Sequence, residues 1–413
     1  MREMKDSGVE WIGEIPKDWN IKRLKAVLCE RNESNSPLKT NFILSLTNNR
    51  GVIPYADKGD VGNKSKEDIT GYKLAYPGDI VLNSMNVIIG SVALSDFYGC
   101  VSPVYYMLYP RNTNDSARFY NYLFQTNELQ NKLKGYGNGI MEIRMRIQMS
   151  KLNTILLPIA PKKKQHCIAD YLDTKCSKID VIIAREQAVI EKLNEYKLSV
   201  ISENVHNEKW DAISLRYCIS TIEQGWSPPP AVIVNEENGW FVLSLSAIKT
   251  GKFNNDARKP IDANAVIPQK LELRSGDFLM TRSNTRELVG DVCVVDKCDS
   301  HLIFSDLIYR ITFQSFLLPN FSKYLFLSVR IRRQIQEAAQ GTSGTMPKIS
   351  HKTIKAIKIY LPSIDEQQQI IKLLDNKCNK IDAVIQKKQS LITKLTEYKK
   401  SLIYEVVTGK KEV

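Results

Sequence analysis

Two stretches of this sequence are copies of each other, and no local motif constrains the fold as strongly. Gln165–Val205 and Gln367–Val407 align at an offset of 202 residues without a gap, and 21 of their 41 positions are identical. Chance does not produce such a match, so the chain descends from a duplicated unit. Fainter echoes extend the duplication. Trp19 to Leu24 resembles Trp210 to Leu215, Gly78-Asp79-Ile80 resembles Gly276-Asp277-Phe278, and Tyr122-Leu123-Phe124 resembles Tyr324-Leu325-Phe326. Leu157-Pro158 and Leu361-Pro362 introduce the two copies. The order along the chain is variable block, constant block, variable block, constant block.

The constant blocks predict long helices. In the second copy, apolar residues fall at Ile370, Leu374, Cys378, Ile381, Ile385, Ile392, Leu395, Leu402 and Val406. These steps of three and four, or sums of them, mark one helical face. Neither copy contains Gly or Pro, while Pro158 and Pro161 precede the first and Gly409 follows the second, as start and stop signals do. At 1.5 Å per residue each helix is about 60 Å long. Its apolar stripe needs a partner, and the obvious one is the other copy, paired antiparallel about a pseudo-two-fold. Gln187 and Gln389 occupy equivalent places on the stripe. Either they fix its register, as single polar residues do in coiled coils, or they sit at its edge.

The variable blocks predict α+β domains. Residues 40–110 hold short β-rich runs, among them Asn41 to Leu46 and Val101 to Leu108, separated by turn signals at Asn49-Arg50-Gly51, Pro77-Gly78-Asp79 and Tyr98-Gly99. A helix is expected at about 115–134, followed by a glycine-rich turn from Gly135 to Gly139. The second block repeats this with a helix at about 320–339 and a turn from Gly341 to Gly344.

Composition narrows the function. Lys and Arg number 58 against 45 Asp and Glu, a net charge of +13, which favours a polyanionic partner, usually nucleic acid. The eight cysteines form no Cys-x-x-Cys pair and none of the four histidines lies near a cysteine pair. A zinc site is not expected, and thiols in a reducing compartment are. No apolar run approaches the roughly 18 residues of a membrane helix, and the charged start from Met1 to Asp6 lacks a signal-peptide core. A cytoplasmic protein is expected.

Catalytic patterns are absent. There is no Gly-x-x-x-x-Gly-Lys phosphate loop and no Gly-x-Gly-x-x-Gly after a strand. Ser227-Pro228-Pro229-Pro230 looks superficially like the catalytic loop of amino-methyltransferases, but Pro230 stands where an aromatic must stack on the target base. Asp173-Thr174-Lys175 and Asp375-Asn376-Lys377 have the spacing of metal-dependent nucleases. Both lie within the repeated helices, where residues i and i+2 point apart, so they read as solvated helix charges. No catalytic, cofactor-binding or metal-binding residue is assigned.

The layout resembles the specificity subunits of type I restriction-modification systems. The residues that carry the likeness are Leu361 to Ile371, Leu374-Asp375, Lys380-Ile381-Asp382, Lys394 to Ile403 and the closing Glu405 to Lys410. Trp11 to Leu24 is similar to the family's usual opening, while Lys162-Lys163-Lys164-Gln165 departs from Ile364-Asp365-Glu366-Gln367 of the second copy. The resemblance spans essentially the whole chain. It implies two similar α/β target-recognition domains joined by two long antiparallel coiled-coil helices, an α+β class with an internal pseudo-two-fold repeat. The expected boundaries are recognition domain 1 at residues 1–157, a central helix at 158–206, recognition domain 2 at 207–360 and a C-terminal helix at 361–413.

The resemblance also implies a function. Each recognition domain would read one half-site of double-stranded DNA, mainly in the major groove, and the helices would set the unread spacer and dock two methyltransferase subunits. Restriction/translocase subunits are further partners in the family. S-adenosyl-methionine, ATP and magnesium would bind those partners, leaving this chain with no cofactor. The two blocks differ, as Arg50 to Pro54 against Thr250 to Asn254 shows, so the target should be bipartite and asymmetric.

Candidate DNA contacts follow from residue type on loops, since Arg, Lys, Asn and Gln read bases and Ser and Thr steady phosphates. In the first domain these are Asn48, Asn49, Arg50, Lys58, Lys64, Asn83, Asn86, Asn138, Arg144 and Arg146. In the second they are Lys249, Lys252, Arg282, Asn284, Arg286, Thr342, Ser343, Thr345 and Lys348. Two other readings are weighed: a helical adaptor joining two proteins without DNA specificity, and a stand-alone nuclease or methyltransferase. Gel shifts would separate the first, and incubation with DNA, magnesium and adenosyl-methionine the second.

Overall fold

The computed structural model describes residues 2–48, 50–59, 65–136, 146–229, 239–339 and 346–413. The chain divides into two units, Met1–Glu186 with Ser390–Val413, and Gln187–Gln389. Each boundary falls inside a long helix, so each unit contains part of both.

In unit 1 the β-rich run folds into a four-stranded antiparallel sheet. Its strands are β1 (Leu28–Arg31), β2 (Ile80–Asn83), β3 (Val92–Leu94) and β4 (Tyr105–Pro110), ordered β1-β4-β2-β3. The turn before β2 works because Gly78 takes a φ of +86°, open to glycine at no steric cost. Asp79 beside it is buried and accepts from the Arg31 guanidinium at 2.9 and 3.2 Å. Helix α1 (Ala117–Phe124) buries Phe119, Tyr120, Leu123 and Phe124 in the core that includes Ile80, Leu82 and Leu108. Sequence periodicity predicts one helix over 115–134, but the structure breaks it, and α2 runs Asn127–Lys134. At the break the Thr126 hydroxyl donates back to the Leu123 carbonyl at 2.8 Å, the local competition with helical hydrogen bonding that threonine offers.

Unit 2 repeats this plan. Strands β5 (Ile219–Gln224), β6 (Phe278–Thr281), β7 (Val292–Val294) and β8 (Ile308–Phe313) take the order β5-β8-β6-β7. The helix expected at 320–339 is likewise two helices, α4 (Pro319–Leu327) and α5 (Val329–Ala338), with the Ser328 hydroxyl on the Leu325 carbonyl at 2.6 Å. The units diverge at their edges. Unit 2 adds a three-stranded mixed sheet of Phe241–Leu243, Arg258–Pro260 and Leu302–Phe304 with its own core. Unit 1 has instead the pair Lys73–Ala75/Gly99–Val101, and both units carry a hairpin, Leu44–Thr47/Gly51–Pro54 in unit 1 and Ile248–Lys249/Lys252–Phe253 in unit 2.

The duplicated segments are continuous helices: α3 (Lys162–Asn204) has 43 residues and α6 (Ile364–Val407) has 44. Within unit 1, Lys399 pairs with Asp180 at 2.7 Å and Lys164 donates to the Val413 carbonyl at 3.0 Å. Within unit 2, Lys197 pairs with Asp382 at 2.8 Å and Trp210 Nε1 donates to Glu366 at 3.4 Å. In both units one helix is followed backward as the other advances, so the pairing is antiparallel. The predicted stripe is buried at Leu374, Cys378, Ile381, Ile392, Leu402 and Val406, whereas Gln187 and Gln389 are exposed and sit at its edge.

Each long helix is fixed at its start by a buried glutamine. The Gln165 oxygen accepts from Ser116 N at 3.0 Å and its amide donates to the Ala160 carbonyl; Gln367 does the same with Leu318 N at 2.9 Å and Pro362. Ser363 and Glu366 add a reciprocal capping box to α6, which the lysine-rich first copy lacks. In unit 1, Trp11, Ile12, Ile15 and Trp19 are buried in one core with Leu402, Ile403, Val406 and Val407. Among the described residues, no helix is long and apolar enough to cross a membrane.

Candidate nucleic-acid interface

The two units build the same surface at the C-terminal end of one equivalent strand, β2 in unit 1 and β6 in unit 2. After β2, Ser84 is fully buried; its carbonyl accepts from Ile147 N at 3.0 Å and its hydroxyl donates to the Val104 carbonyl at 2.7 Å. After β6, the Arg282 carbonyl accepts from Ile349 N at 2.9 Å, and buried Ser283 bridges Lys348. Tyr106 and Tyr309 clamp the incoming segment from below, donating to the carbonyls of Ile147 at 3.2 Å and Ile349 at 3.4 Å. Because Ile147 and Ile349 turn inward, their neighbours Arg146 and Lys348 are left at the surface, both exposed.

The structure thereby brings together Asn83, Asn86 and Arg146 in unit 1, and Arg282, Asn284, Arg286 and Lys348 in unit 2. Asn83 and Asn86 also shape their own turn: the Asn83 side chain accepts from Met85 N at 3.0 Å. Arg286 is exposed, and Arg282 is half-buried with its guanidinium 6.0 Å above the Tyr309 ring. Asn284 is buried, and its oxygen accepts from Thr285 N.

A second group lies on equivalent hairpins. Asn48 and Arg50 lie on the turn before Gly51, with Arg50 exposed and donating to the Asp57 carbonyl at 2.8 Å, and Lys58 lies 5.1 Å from the Tyr55 ring. In unit 2, Lys249 and Lys252 flank the turn Thr250-Gly251, and Lys252 pairs with Asp382 of α6 at 2.9 Å. Asn49, Lys64, Asn138, Arg144, Thr342, Ser343 and Thr345 lie outside the described residues.

Sequence reasoning passed over three contributors. Ser84 anchors the surface in unit 1, where its carbonyl takes the Ile147 N–H as the Arg282 carbonyl takes that of Ile349 in unit 2. Tyr106 and Tyr309 gave no local signal, being buried within strands. His351 packs 4.6 Å from the Tyr309 ring. Burial first, then the cations of Lys355 and Arg282, lower its pKa, so it faces this surface as a neutral imidazole at neutral pH.

The aspartates with nuclease spacing are occupied structurally. Asp173 accepts from the Tyr122 hydroxyl at 2.7 Å and pairs with Arg118, and Asp375 accepts from Tyr324. Among the described residues no three His, Cys, Asp or Glu are grouped to hold a metal ion. All eight cysteines are free thiols, and burial pushes the Cys176 thiol up to about 11, which makes it unreactive at neutral pH.

Comparison with known proteins places this architecture. A family model described as the type I restriction modification DNA specificity domain matches residues 16–192 and 263–394. The type I restriction enzyme EcoKI specificity subunit of Escherichia coli K12 is 24% identical over 280 residues, 64% of this chain and 59% of that protein. The putative type I restriction enzyme MjaX specificity subunit of Methanocaldococcus jannaschii is 25% identical over 430 residues, 97% of this chain and 95% of its own length. A chain in a solved structure of complex assembly and conformational transition of the type I R-M system shares the fold. It has a TM-score of 0.71 and 14% identity, covering 96% of this chain and 99% of that one.

Proposed function

The chain belongs to the type I restriction modification DNA specificity family, and from that membership we propose that it is the non-catalytic recognition subunit of such a complex. Each unit reads one half-site of duplex DNA, and the target is bipartite and asymmetric. One observation carries this reading. The same buried tyrosine and isoleucine build the surface in both units, while the polar residues on it differ, Asn83, Asn86 and Arg146 against Arg282, Arg286 and Lys348. A fixed platform with exchanged side chains is what two recognition modules of different specificity need.

The long helices act as the spacer ruler and as the docking site for two adenine-methyltransferase subunits, with restriction/translocase subunits joining through them. Their outer faces leave apolar side chains open to a partner: Val181 and Tyr196 on α3, and Val384 and Tyr398 on α6, are all exposed. Adenosyl-methionine, ATP and magnesium belong to those partners, and the complex works on DNA in the cytoplasm. Long-read methylome sequencing tests the reading. Cells carrying this gene and its methyltransferase should show a split, asymmetric adenine-methylation motif that a deletion abolishes. An unchanged methylome with the partner expressed would overturn it in favour of the adaptor.

A further inference from the structure

The loop that follows β6 carries Arg282 and Arg286 and runs two residues longer than its counterpart after β2. Its backbone is held at two neighbouring carbonyls. The buried Thr281 hydroxyl donates to the Leu288 carbonyl at 2.8 Å, and Arg332 Nη2, reaching in from α5, donates to the Glu287 carbonyl at 2.7 Å. The loop closes at Gly290, whose φ of +70° seats it against α5. A Cβ there would lie 2.7 Å from Ile335 Cγ2 and 3.7 Å from Arg332 Nη1.

Asp291 comes next. It is 4% exposed, and its carboxylate accepts from Thr250 N at 2.7 Å and Val292 N at 2.9 Å. Burial raises the pKa of Asp291 and lowers that of Arg332, and the attraction between the two charges opposes both shifts. Arg332 Nη1 is buried without a hydrogen-bond partner, so the guanidinium is held by the Glu287 carbonyl and by the charge of Asp291. A buried donor left in that state costs about 1–3 kcal/mol.

The fold itself does not need these charges. The strand register equates Asp291 with Ser91, and the repeat offset of 202 equates Arg332 with Gln130. In unit 1 the same elements pack with neutral residues: Ser91 is buried, and a Cβ on Gly90 would lie 2.9 Å from Gln130 Nε2. Gln130 donates to the Phe124 carbonyl at the end of α1 at 3.2 Å. A buried charge pair adds little to stability over a neutral one, whereas a side chain that reads a base must be held to within about 0.5 Å. We propose that Arg332, countered by Asp291, is a positioning residue that fixes the loop of Arg282 and Arg286 for reading the unit 2 half-site. This role rests on the function proposed above.

Competition anisotropy tests it, using the chain assembled with its methyltransferase subunit and duplexes carrying the methylation motif. Each competitor changes one base pair, in one half-site or the other. Arg332→Met keeps the length of the side chain and removes the donor. The double variant Asp291→Asn/Arg332→Met also removes the charge left uncompensated, and keeps the test open where the single variant folds poorly. Both variants should lose about tenfold of the discrimination against changes in one and the same half-site, with the other half-site read as in the wild type. Their slope of log affinity against log salt should match the wild type, because Arg332 touches no phosphate. Discrimination unchanged at both half-sites, or lost equally at both, would overturn the proposal and leave the function standing. So would a slope flattened as much as that of Arg286→Ala, which would make Arg332 a direct DNA contact. A wild-type complex that binds the motif no tighter than unrelated duplex would overturn that function, and this role with it.

Discussion

Lys399 donates to both carboxylate oxygens of Asp180 at 2.7 Å, and the equivalent pair recurs where Lys197 donates to one oxygen of Asp382 at 2.8 Å. The repeat offset equates Asp180 with Asp382 and Lys197 with Lys399. Each long helix thus gives its aspartate to one unit and its lysine to the other, the reciprocity that antiparallel pairing of two copies demands. It also explains why Lys-Ile-Asp and Glu-Tyr-Lys stayed identical in both copies. A change in one copy would break a pair in one unit only.

The Asp382 pair should show itself in the pH dependence of stability. Burial opposes ionisation of Asp382, but hydrogen bonds from Lys197 and Lys252 outweigh it and hold the pKa below its ordinary value of 3.8. A depressed carboxylate pKa contributes stability that is complete above the unfolded value and is lost as pH falls through the folded one. Asp382→Asn should therefore cost about 1 kcal/mol near neutral pH. The variant should also lose less stability than the wild type between about pH 5 and pH 3. Denaturant melts at both pH values measure this, and parallel losses would sink it.

Asp173 and Asp375 should prove structural. Tyr122→Phe and Tyr324→Phe each remove the hydroxyl that donates to one of them. Each should lower unfolding free energy by about 1 kcal/mol, with the core ring retained. Magnesium should leave the unfolding midpoint of the wild type unchanged. A magnesium-dependent rise that Asp375→Asn abolishes would revive the nuclease reading.

Much of this was legible in the sequence, for a physical reason. A gapless repeat over about eleven helical turns leaves little freedom: the stripe at Leu374, Cys378 and Leu402 had to be buried, and it is. What periodicity missed were local competitions. Thr126 and Ser328 end helices through their own hydroxyls, although apolar spacing runs on past them. Residue type alone was weaker still for the interface. It selected Lys252, whose ammonium is held by Asp382, and Asn284, which is buried. It overlooked Ser84, Tyr106 and His351, whose contribution depends on a segment arriving from far along the chain.

Arg282 and Arg286 should contribute through charge to DNA binding. Removing one cation from a phosphate reduces the slope of log affinity against log salt by about 1. Arg282→Ala and Arg286→Ala, measured by fluorescence anisotropy on target duplex across a salt series, should each weaken binding and flatten the slope. Affinities equal to wild type at every salt concentration would remove both residues from the interface.

Helix length should set the spacer and nothing else. Adding four residues, about one turn, to the middle of α3 and of α6 lengthens each by about 6 Å. That corresponds to about two base pairs at 3.4 Å each. The methylation motif should keep both half-sites and gain about two unread positions between them. The same insertion in α3 alone has a different outcome. Asp180 and Lys197 both lie on α3 and pair with Lys399 and Asp382 of α6, so one pair must slip when only one helix grows. That variant should melt at a lower temperature and methylate poorly at any spacing. A double insertion that leaves the spacer unchanged would show that the distance is set outside the paired helices.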